Sequence, residues 1–402
     1  MQIRFSHENG ILNAIVSGRI DSTNAGEFGS QIDKALDESE AKEMVMDFTQ
    51  LQYISSAGLR TLIKARKRLS EIHLNHVSDD VFKVLEMTGF TSLLKVTRAA
   101  RKVSLDGCVK LSEGGNGKVF RLVNDEIIKV FTSKISREDI QLTLDRAKAA
   151  FLAGIPTPIS YDVVDAEYEG EIMPGVVYEM MANSTLATAI YEHPDQFDEY
   201  MRKYVDLVKP MHECVVDSTT MEDIKEMYRR KIKLLNVFLT DEELSLLYAL
   251  IDKVPDRDTF IHNDPHPKNI MLSGDELMFV DMDDCGKGHP IFDIASLHQD
   301  MVGAASMEKI GLGLYMHIMG FPVETGAKVW KRFAQLYFKT EDDNKIVQIE
   351  KMIAPYEAIR GLVSFNRRKF PKELLDEVLS RYRETIFPTL PEIIKSPFVW
   401  PQ

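Results

Sequence analysis

Cysteine is scarce: three among 402 residues, at positions 108, 214 and 285. They lie far apart and have no metal-ligand spacing, so a disulfide framework is not expected. Long apolar runs are missing, and no stretch approaches the ~20 residues needed to span a bilayer. The first residues, Met1 to Phe5, alternate and lack the apolar core of a signal peptide. Together these absences lead one to expect a cytoplasmic protein with no membrane partner. There is no repeat with a period of 20–50 residues and no low-complexity segment. Positive charge is not in excess: 49 Lys+Arg stand against 62 Asp+Glu, a net charge of −13. That balance excludes broad binding to nucleic acid or to anionic membranes. It suits a cationic or metal-bound ligand, and it equally serves solubility alone.

What is present is a globular composition, 44% hydrophobic and 28% charged, in a chain long enough for two or three domains. The acidity is uneven: residues 1–100 hold 12 Lys+Arg and 13 Asp+Glu, a charge of −1 that leaves −12 for the remainder. The first hundred residues read as alternating strands and helices, an α/β sandwich. Asn9-Gly10 marks a hairpin between Gln2–Ser6 and Ile11–Ile20. Phe28, Ile32 and Leu36 share a helical face. Glu43 to Phe48 forms a short apolar strand, and Tyr53-Ile54-Ser55-Ser56-Ala57-Gly58-Leu59 opens a second helix. A third helix, Asp79 to Met87, stops at Gly89. The apolar period fades over 96–108, where the domain boundary is expected. Beyond it, strand patterns run to about 181 around one helix near 136–152, and amphipathic helices follow from about 185.

Three features of the first domain, residues 1–97, resemble the STAS family, the fold of anti-sigma-factor antagonists: Gly18-Arg19-Ile20-Asp21, Tyr53 to Arg60, and Val81 to Phe90. The resemblance implies a regulatory or docking module with a protein partner. It also implies a phosphorylatable serine two positions before the glycine, here Ser56. A phosphate at a helix N-terminus would meet free backbone N–H groups and the positive end of the helix dipole. It would add about −1.5 to −2 charges to a docking surface. The alternative is that Ser55 or Ser56 only caps the helix. The family's acidic residue before the phosphoserine is replaced by Ser55.

The second domain, residues 108–402, holds Ile261-His262-Asn263-Asp264-Pro265-His266-Pro267-Lys268-Asn269, then Phe279-Val280-Asp281-Met282-Asp283-Asp284. Phosphoryl transfer needs a group to position the acceptor hydroxyl and take its proton, plus Mg²⁺ to neutralise the phosphates. Asp264 suits the first task. Asn269 and Asp281 offer the hard oxygen ligands of the second. Apolar residues on either side of Gly274-Asp275 predict a hairpin that returns Asp281 beside Asn269. This loop, hairpin and acidic strand end resemble the aminoglycoside phosphotransferase and choline kinase family, a bilobal protein-kinase-like α+β fold. The resemblance implies an N-lobe over about 108–181, a C-lobe over about 182–402, ATP and Mg²⁺ as cofactors, and a small-molecule hydroxyl as acceptor.

By the same resemblance, His262 holds the catalytic loop by hydrogen bonds, Asp293 buttresses it, and His212 is a packed core residue. His266 is structural or substrate-facing, and Asp283 is a ligand to a second Mg²⁺ or a solvated carboxylate. Gly114, Gly115 and Gly117 form a glycine-rich turn that would let backbone N–H groups approach phosphates. Lys129, set in an apolar strand, needs an anionic partner, and the α/β-phosphates supply one. In kinases that lysine also pairs with an acid on the following helix; Thr143 stands at that place, with Asp139 and Asp145 nearby. Glu179 and Met181 mark the interlobe hinge whose backbone would bind adenine. The segment from about 300 to 395 is expected to shape the acceptor pocket. The acidic run Glu341, Asp342 and Asp343 either attracts a cation or forms a solvated loop. Two further readings stand beside the small-molecule kinase: a protein kinase acting on Ser56 or on a partner's equivalent serine, and a non-catalytic nucleotide-responsive protein.

Overall fold

The structure is a computed structural model that describes all residues except 9, 40, 115–116, 124, 132–134, 182–183, 218, 220, 304–311, 369–371 and 402. The chain divides into two compact units, Met1–Val103 and Ser104–Gln402. Among the described residues, no helix is long and apolar enough to cross a membrane.

The first unit is built on β1 (Gln2–Glu8), β2 (Ile11–Ile20), α1 (Ala25–Ser39), β3 (Glu43–Ile54), α2 (Ser56–Arg66), β4 (Glu71–Val77), α3 (Asp79–Met87) and β5 (Lys95–Arg98). Its sheet has the order β1-β2-β3-β4-β5, with β1 antiparallel to β2 and the remaining pairs parallel. Alternation sets the buried face: Leu12, Ala14 and Val16 of β2 lie against Met44, Met46 and Phe48 of β3 in one core. Helix α1 adds Phe28, Ile32 and Leu36, spaced by four residues on one face. Glu8 pairs with Ile11 across the first turn, where Gly10 has φ +79° and Asn9 lies outside the described residues.

Two boundaries differ from the sequence reading. Strand β3 continues past Phe48 to Ile54, because its far end pairs in parallel with Arg19 and Ile20. The segment read as linker carries β5 and a short strand β6 (Arg101–Ser104). In β5, Val96 packs against the core and pairs with Leu74, but four residues are too few to show an apolar period.

The second unit begins with β7 (Val109–Gly114), β8 (Gly117–Arg121), β9 (Glu126–Phe131), α4 (Arg137–Leu152), β10 (Ser160–Tyr168) and β11 (Glu171–Glu179). These strands are ordered β10-β11-β9-β8-β7. The helical lobe holds β12 (Ser184–Thr185), α5 (Leu186–Glu192), α6 (Phe197–Met211), α7 (Ile224–Lys233) and α8 (Asp241–Lys253). Then come β13 (Phe260–Ile261), β14 (Ile270–Ser273), β15 (Glu276–Phe279) and β16 (Gly286–Lys287). Helices α9 (Ile291–His298), α10 (Leu312–Met319), α11 (Val323–Tyr337), α12 (Asp343–Arg368), α13 (Lys372–Thr385) and α14 (Leu390–Lys395) complete it. One core joins α6, α9, α11 and α12 through Tyr204, Phe292, Trp330, Phe333 and Ile359. A β-rich lobe ahead of a helical lobe is the bilobal kinase-like architecture.

Candidate active site

Strand β13 pairs with β16 and delivers the chain into the loop at His262. The loop is fixed by a fully buried carboxylate from α9. Asp293 accepts hydrogen bonds from the backbone N–H of His262 (3.0 Å) and of Asn263 (2.5 Å), and lies 2.9 Å from Nε2 of His212. The other ring nitrogen of His212 meets the Tyr337 hydroxyl at 2.8 Å. The Tyr204 hydroxyl donates to the Pro265 carbonyl, and Ser296 Oγ donates to that of Asn263 (3.2 Å). Asn263 is held at φ +66°, a left-handed conformation that asparagine tolerates better than most residues. Such a loop is stiff because each departure would strand a buried polar group.

His262 ties the loop to the strand end. Its Nδ1 accepts from the Asp264 N–H (3.3 Å), which leaves Nε2–H to donate to the Val280 carbonyl (3.1 Å). Burial pushes its pKa down, favouring the neutral ring that this pattern requires.

Hairpin β14–β15 pairs Ile270 with Phe279, and the Val280 N–H donates to the Asn269 carbonyl at 2.9 Å. This places Asp281 next to Asn269, as the apolar runs around Gly274-Asp275 predict. The Asn269 amide nitrogen donates to the Asp264 carbonyl (3.0 Å) and carboxylate (3.2 Å). Both bonds use nitrogen, so the amide oxygen remains as a metal donor. Asp281 sits at φ +63°, which turns the chain sharply as it leaves β15.

Lys129 of β9 takes partners that the sequence reading did not anticipate. Its ammonium lies 2.7 Å from Asp281 Oδ1 and 2.7 Å from Asp283 Oδ2. The acids considered on α4 are occupied elsewhere: the Asp139 carboxylate accepts from the hydroxyl of Ser136, the N-cap of the helix (2.8 Å), and Asp145 accepts from Gln141 (2.9 Å). Thr143 back-bonds to the Asp139 carbonyl. Helix α4 instead contributes Arg146, which is buried. Arg146 donates to the Asp283 carbonyl (3.3 Å) and to Glu222 (2.5 Å), so the helix grips the backbone after β15 rather than the lysine.

Charge crowding is evident in the titration of this cluster. Burial opposes the Lys129 ammonium, but Asp281 and Asp283 outweigh it and raise its pKa. Burial would raise Asp281, yet Lys129 brings it below the usual carboxylate range. Asp283 is pushed up to about 6, by burial first and then by the charge of Asp281. One Oδ of Asp283 is buried with no hydrogen-bond partner among the described residues. An orphaned buried oxygen in a pair of carboxylates that share Lys129, with the Asn269 amide oxygen left open on the adjoining loop, is a donor set of the hard-oxygen kind that suits a divalent cation such as Mg²⁺. Asn269, Asp281 and Asp283 are the residues that would hold it.

The surroundings of Asp264 contain residues that sequence reasoning missed. Arg360 of α12 is buried and donates to Asp264 Oδ1 at 2.7 Å. His266 Nε2 lies 3.8 Å from the other carboxylate oxygen. Burial would raise the Asp264 carboxyl, but His266 and the Arg360 guanidinium outweigh it and bring it down to about 2. Asp300 lies close enough to Asp264 and His266 for all three to share one ligand. A signal for Arg360 did exist: it interrupts the apolar run Ala358-Ile359-…-Leu362-Val363, as Glu357 does, and Glu357 pairs with His298 at 2.6 Å.

At the nucleotide end, Gly114 and Gly117 pair across the β7–β8 turn, while Gly115 lies outside the described residues. A Cβ on Gly117 would stand 2.1 Å from the Val130 carbonyl oxygen, so glycine is required there by the neighbouring strand itself. Glu179 ends β11; its N–H donates to the Ile159 carbonyl (2.9 Å) and its carboxylate accepts from the Ile159 N–H (3.2 Å). Met181 follows and is buried. The run Glu341 to Asp343 is engaged by basic partners: Arg332 pairs with Glu341 (3.1 Å) and Lys331 with Asp343 (2.9 Å).

In the first unit, Ser55 is the N-cap of α2, accepting from the Gly58 N–H at 3.4 Å. Ser56 is the first helical residue and is exposed, with the cap already supplied by its neighbour. A Cβ on Gly58 would lie 2.5 Å from Ile20 and 2.9 Å from Ile54, so the glycine lets α2 sit against the strand ends.

Comparison with known proteins agrees with both units. The family described as "Phosphotransferase enzyme family" matches residues 108–311, and "STAS domain" matches residues 2–102. A putative anti-sigma factor antagonist of Bordetella bronchiseptica, BtrV, is 30% identical over 103 residues, 25% of this chain and 88% of that protein. Among solved structures, ADP-bound aminoglycoside phosphotransferase APH(2'')-Ib aligns at 18% identity and a TM-score of 0.43, covering 68% of this chain and 90% of its own. A choline/ethanolamine kinase family protein from Mesorhizobium loti aligns at 16% identity and a TM-score of 0.44, covering 71% and 90%. With half its length matched by that family, the chain belongs to the phosphotransferase enzyme family and carries a STAS domain ahead of its kinase-like domain.

Proposed function

We propose that the protein is an ATP- and Mg²⁺-dependent phosphotransferase acting on a small-molecule hydroxyl, with the STAS domain as a protein-docking module. The observation that carries this reading is the grouping of Lys129, Asp281 and Asp283 at a strand end that is joined through Val280 and Asn269 to the rigid loop bearing Asp264. Asn269, Asp281 and Asp283 would hold the Mg²⁺, which would supply positive charge against that of the nucleotide phosphates. Lys129, freed from part of its carboxylate pairing, would bind the phosphate oxygens. Asp264 orients the acceptor hydroxyl and takes its proton. A carboxylate of low pKa is a weak base, so its part is chiefly to align the hydroxyl until the bond to phosphorus forms.

The test is ADP release across a panel of hydroxylated and aminated metabolites, with Asp264→Ala as control. Turnover that survives in Asp264→Ala, or no acceptor-dependent ADP release across the panel, would contradict it.

A second reading, phosphorylation of a STAS serine, is favoured by one observation: Ser55 performs the capping and leaves Ser56 exposed at the helix start. Incubation with MgATP followed by mass spectrometry tests it. An unmodified Ser56 in the wild-type chain, together with an unmodified equivalent serine in a partner STAS protein, would remove it.

A further inference from the structure

The helical lobe contains a cavity of about 660 Å³ that the phosphotransferase reading does not use. Its floor is apolar and aromatic, with Ile349, Met352 and Tyr356 from one face of α12. Four of its sixteen lining residues are lysines, and none is acidic. The chain as a whole has 62 acidic residues against 49 basic ones, so a lining whose charged residues are all basic runs against its composition.

The walls are anchored. Lys253 uses its ammonium on the chain's last turn, donating to the Ile394 carbonyl (3.3 Å) and to that of Ser396. The tail is then clamped by His289, whose ring lies 5.0 Å from that of Phe398 and 4.8 Å from that of Trp400. The other three lysines, Lys339, Lys345 and Lys351, are exposed at the mouth. Among the described residues none of them pairs with a carboxylate, since the nearby acidic run turns to Lys331 and Arg332.

We propose that this cavity is a second ligand site, distinct from that at Asp264, and that it takes a small organic anion with a flat aromatic body. The volume lies within the roughly 300–1,000 Å³ range of small-molecule sites. The aromatic floor supplies burial, and the lysines supply the charge that selects an acidic head group. The site asks for one acidic group on an apolar ring system, and a cationic ligand would be repelled at the mouth.

The test uses the full chain and two fluorescent probes, 8-anilinonaphthalene-1-sulfonate and its uncharged relative N-phenyl-1-naphthylamine. The sulfonate is expected to bind one per chain and about tenfold more tightly than the uncharged probe. Lys345→Gln/Lys351→Gln should weaken the sulfonate about fivefold and Lys345→Glu/Lys351→Glu more than about tenfold, with little change for the uncharged probe. These residues are exposed, and an unchanged thermal melt confirms that the variants fold. Saturating MgATP should not displace the probe. Sulfonate binding that ignores both lysine variants, or that MgATP abolishes, would overturn the proposal.

Discussion

The ammonium of Lys129 and the carboxylate of Asp283 come from different lobes of the kinase-like unit and lie 2.7 Å apart. Asp281 completes the group at the same distance, so one cation balances two carboxylates. Kinase-like sites commonly brace this lysine with an acid from the first helix. Here the brace comes from the loop expected to hold the metal, and α4 secures that loop's backbone through Arg146.

A Lys129→Met substitution would therefore leave two adjacent carboxylates without their counter-charge. We expect a loss of about 1–3 kcal/mol in stability, below the figure for fully buried pairs because Asp281 is partly exposed. Mg²⁺ should restore at least half of it, since a divalent ion takes over the ammonium's electrostatic role. Thermal melts with and without MgCl₂ check this, and an equal loss in both conditions would refute it. The same variant should bind MgATP at least about tenfold more weakly.

The carboxylate of Asp293 organises the loop from behind, so its removal should act on turnover without touching nucleotide contacts. Asp293→Ala strands the buried N–H groups of His262 and Asn263, at about 1–3 kcal/mol each. Displacing Asp264 by even 1 Å would lower kcat by about a hundredfold. The expected pattern is a large fall in kcat with the KM for ATP within about threefold of wild type. A variant impaired only in KM would show that the loop is held by other means.

How much of this could be read from the sequence follows from the range of the interactions. Asp264, Asn269 and Asp281 were legible because a five-residue spacing and a short hairpin bring them together locally. The capping choice between Ser55 and Ser56 stayed open in the sequence, since both stand where a helix begins. Lys129 was legible as a lysine in an apolar strand, but its partners are 152 and 154 residues away. Nothing local to β9 or α4 encodes that pairing. Arg360, 96 residues from Asp264, was signalled only as a charge on an apolar helical face, a pattern that does not name its partner. Gly117 shows the reverse case. A glycine beside the expected phosphate clamp is required by packing against Val130, whatever the loop binds.

The buried ring of His289 predicts a pH dependence that needs no active-site group. Burial pushes its pKa down to about 3 from the ordinary 6.5, and its Nδ1 accepts from the Ile291 N–H at 3.1 Å. Below pH 6.5 the unfolded chain takes up a proton that the native state refuses, so stability falls as pH drops towards 3. The slope is at most about 1.4 kcal/mol per pH unit. Between pH 6.5 and 5, His289→Phe should lose up to about 2 kcal/mol less than wild type. Urea denaturation at the two values measures it. Identical pH slopes would mean that the native ring protonates normally.

Ser55 and Ser56 are adjacent and chemically alike, yet the structure separates their roles. Ser55 Oγ accepts from the Gly58 N–H, so Ser55→Ala should cost the STAS domain about 1 kcal/mol. Ser56→Ala removes an exposed hydroxyl at the first helical position and should change stability by less than about 0.5 kcal/mol. Ser56→Asp places a negative charge at the positive end of α2 and should stabilise by roughly 0.3–1 kcal/mol. Hydrogen exchange of the α2 amides resolves these effects within the domain. A larger loss for Ser56→Ala than for Ser55→Ala would reverse the assignment and return Ser56 to a purely structural role.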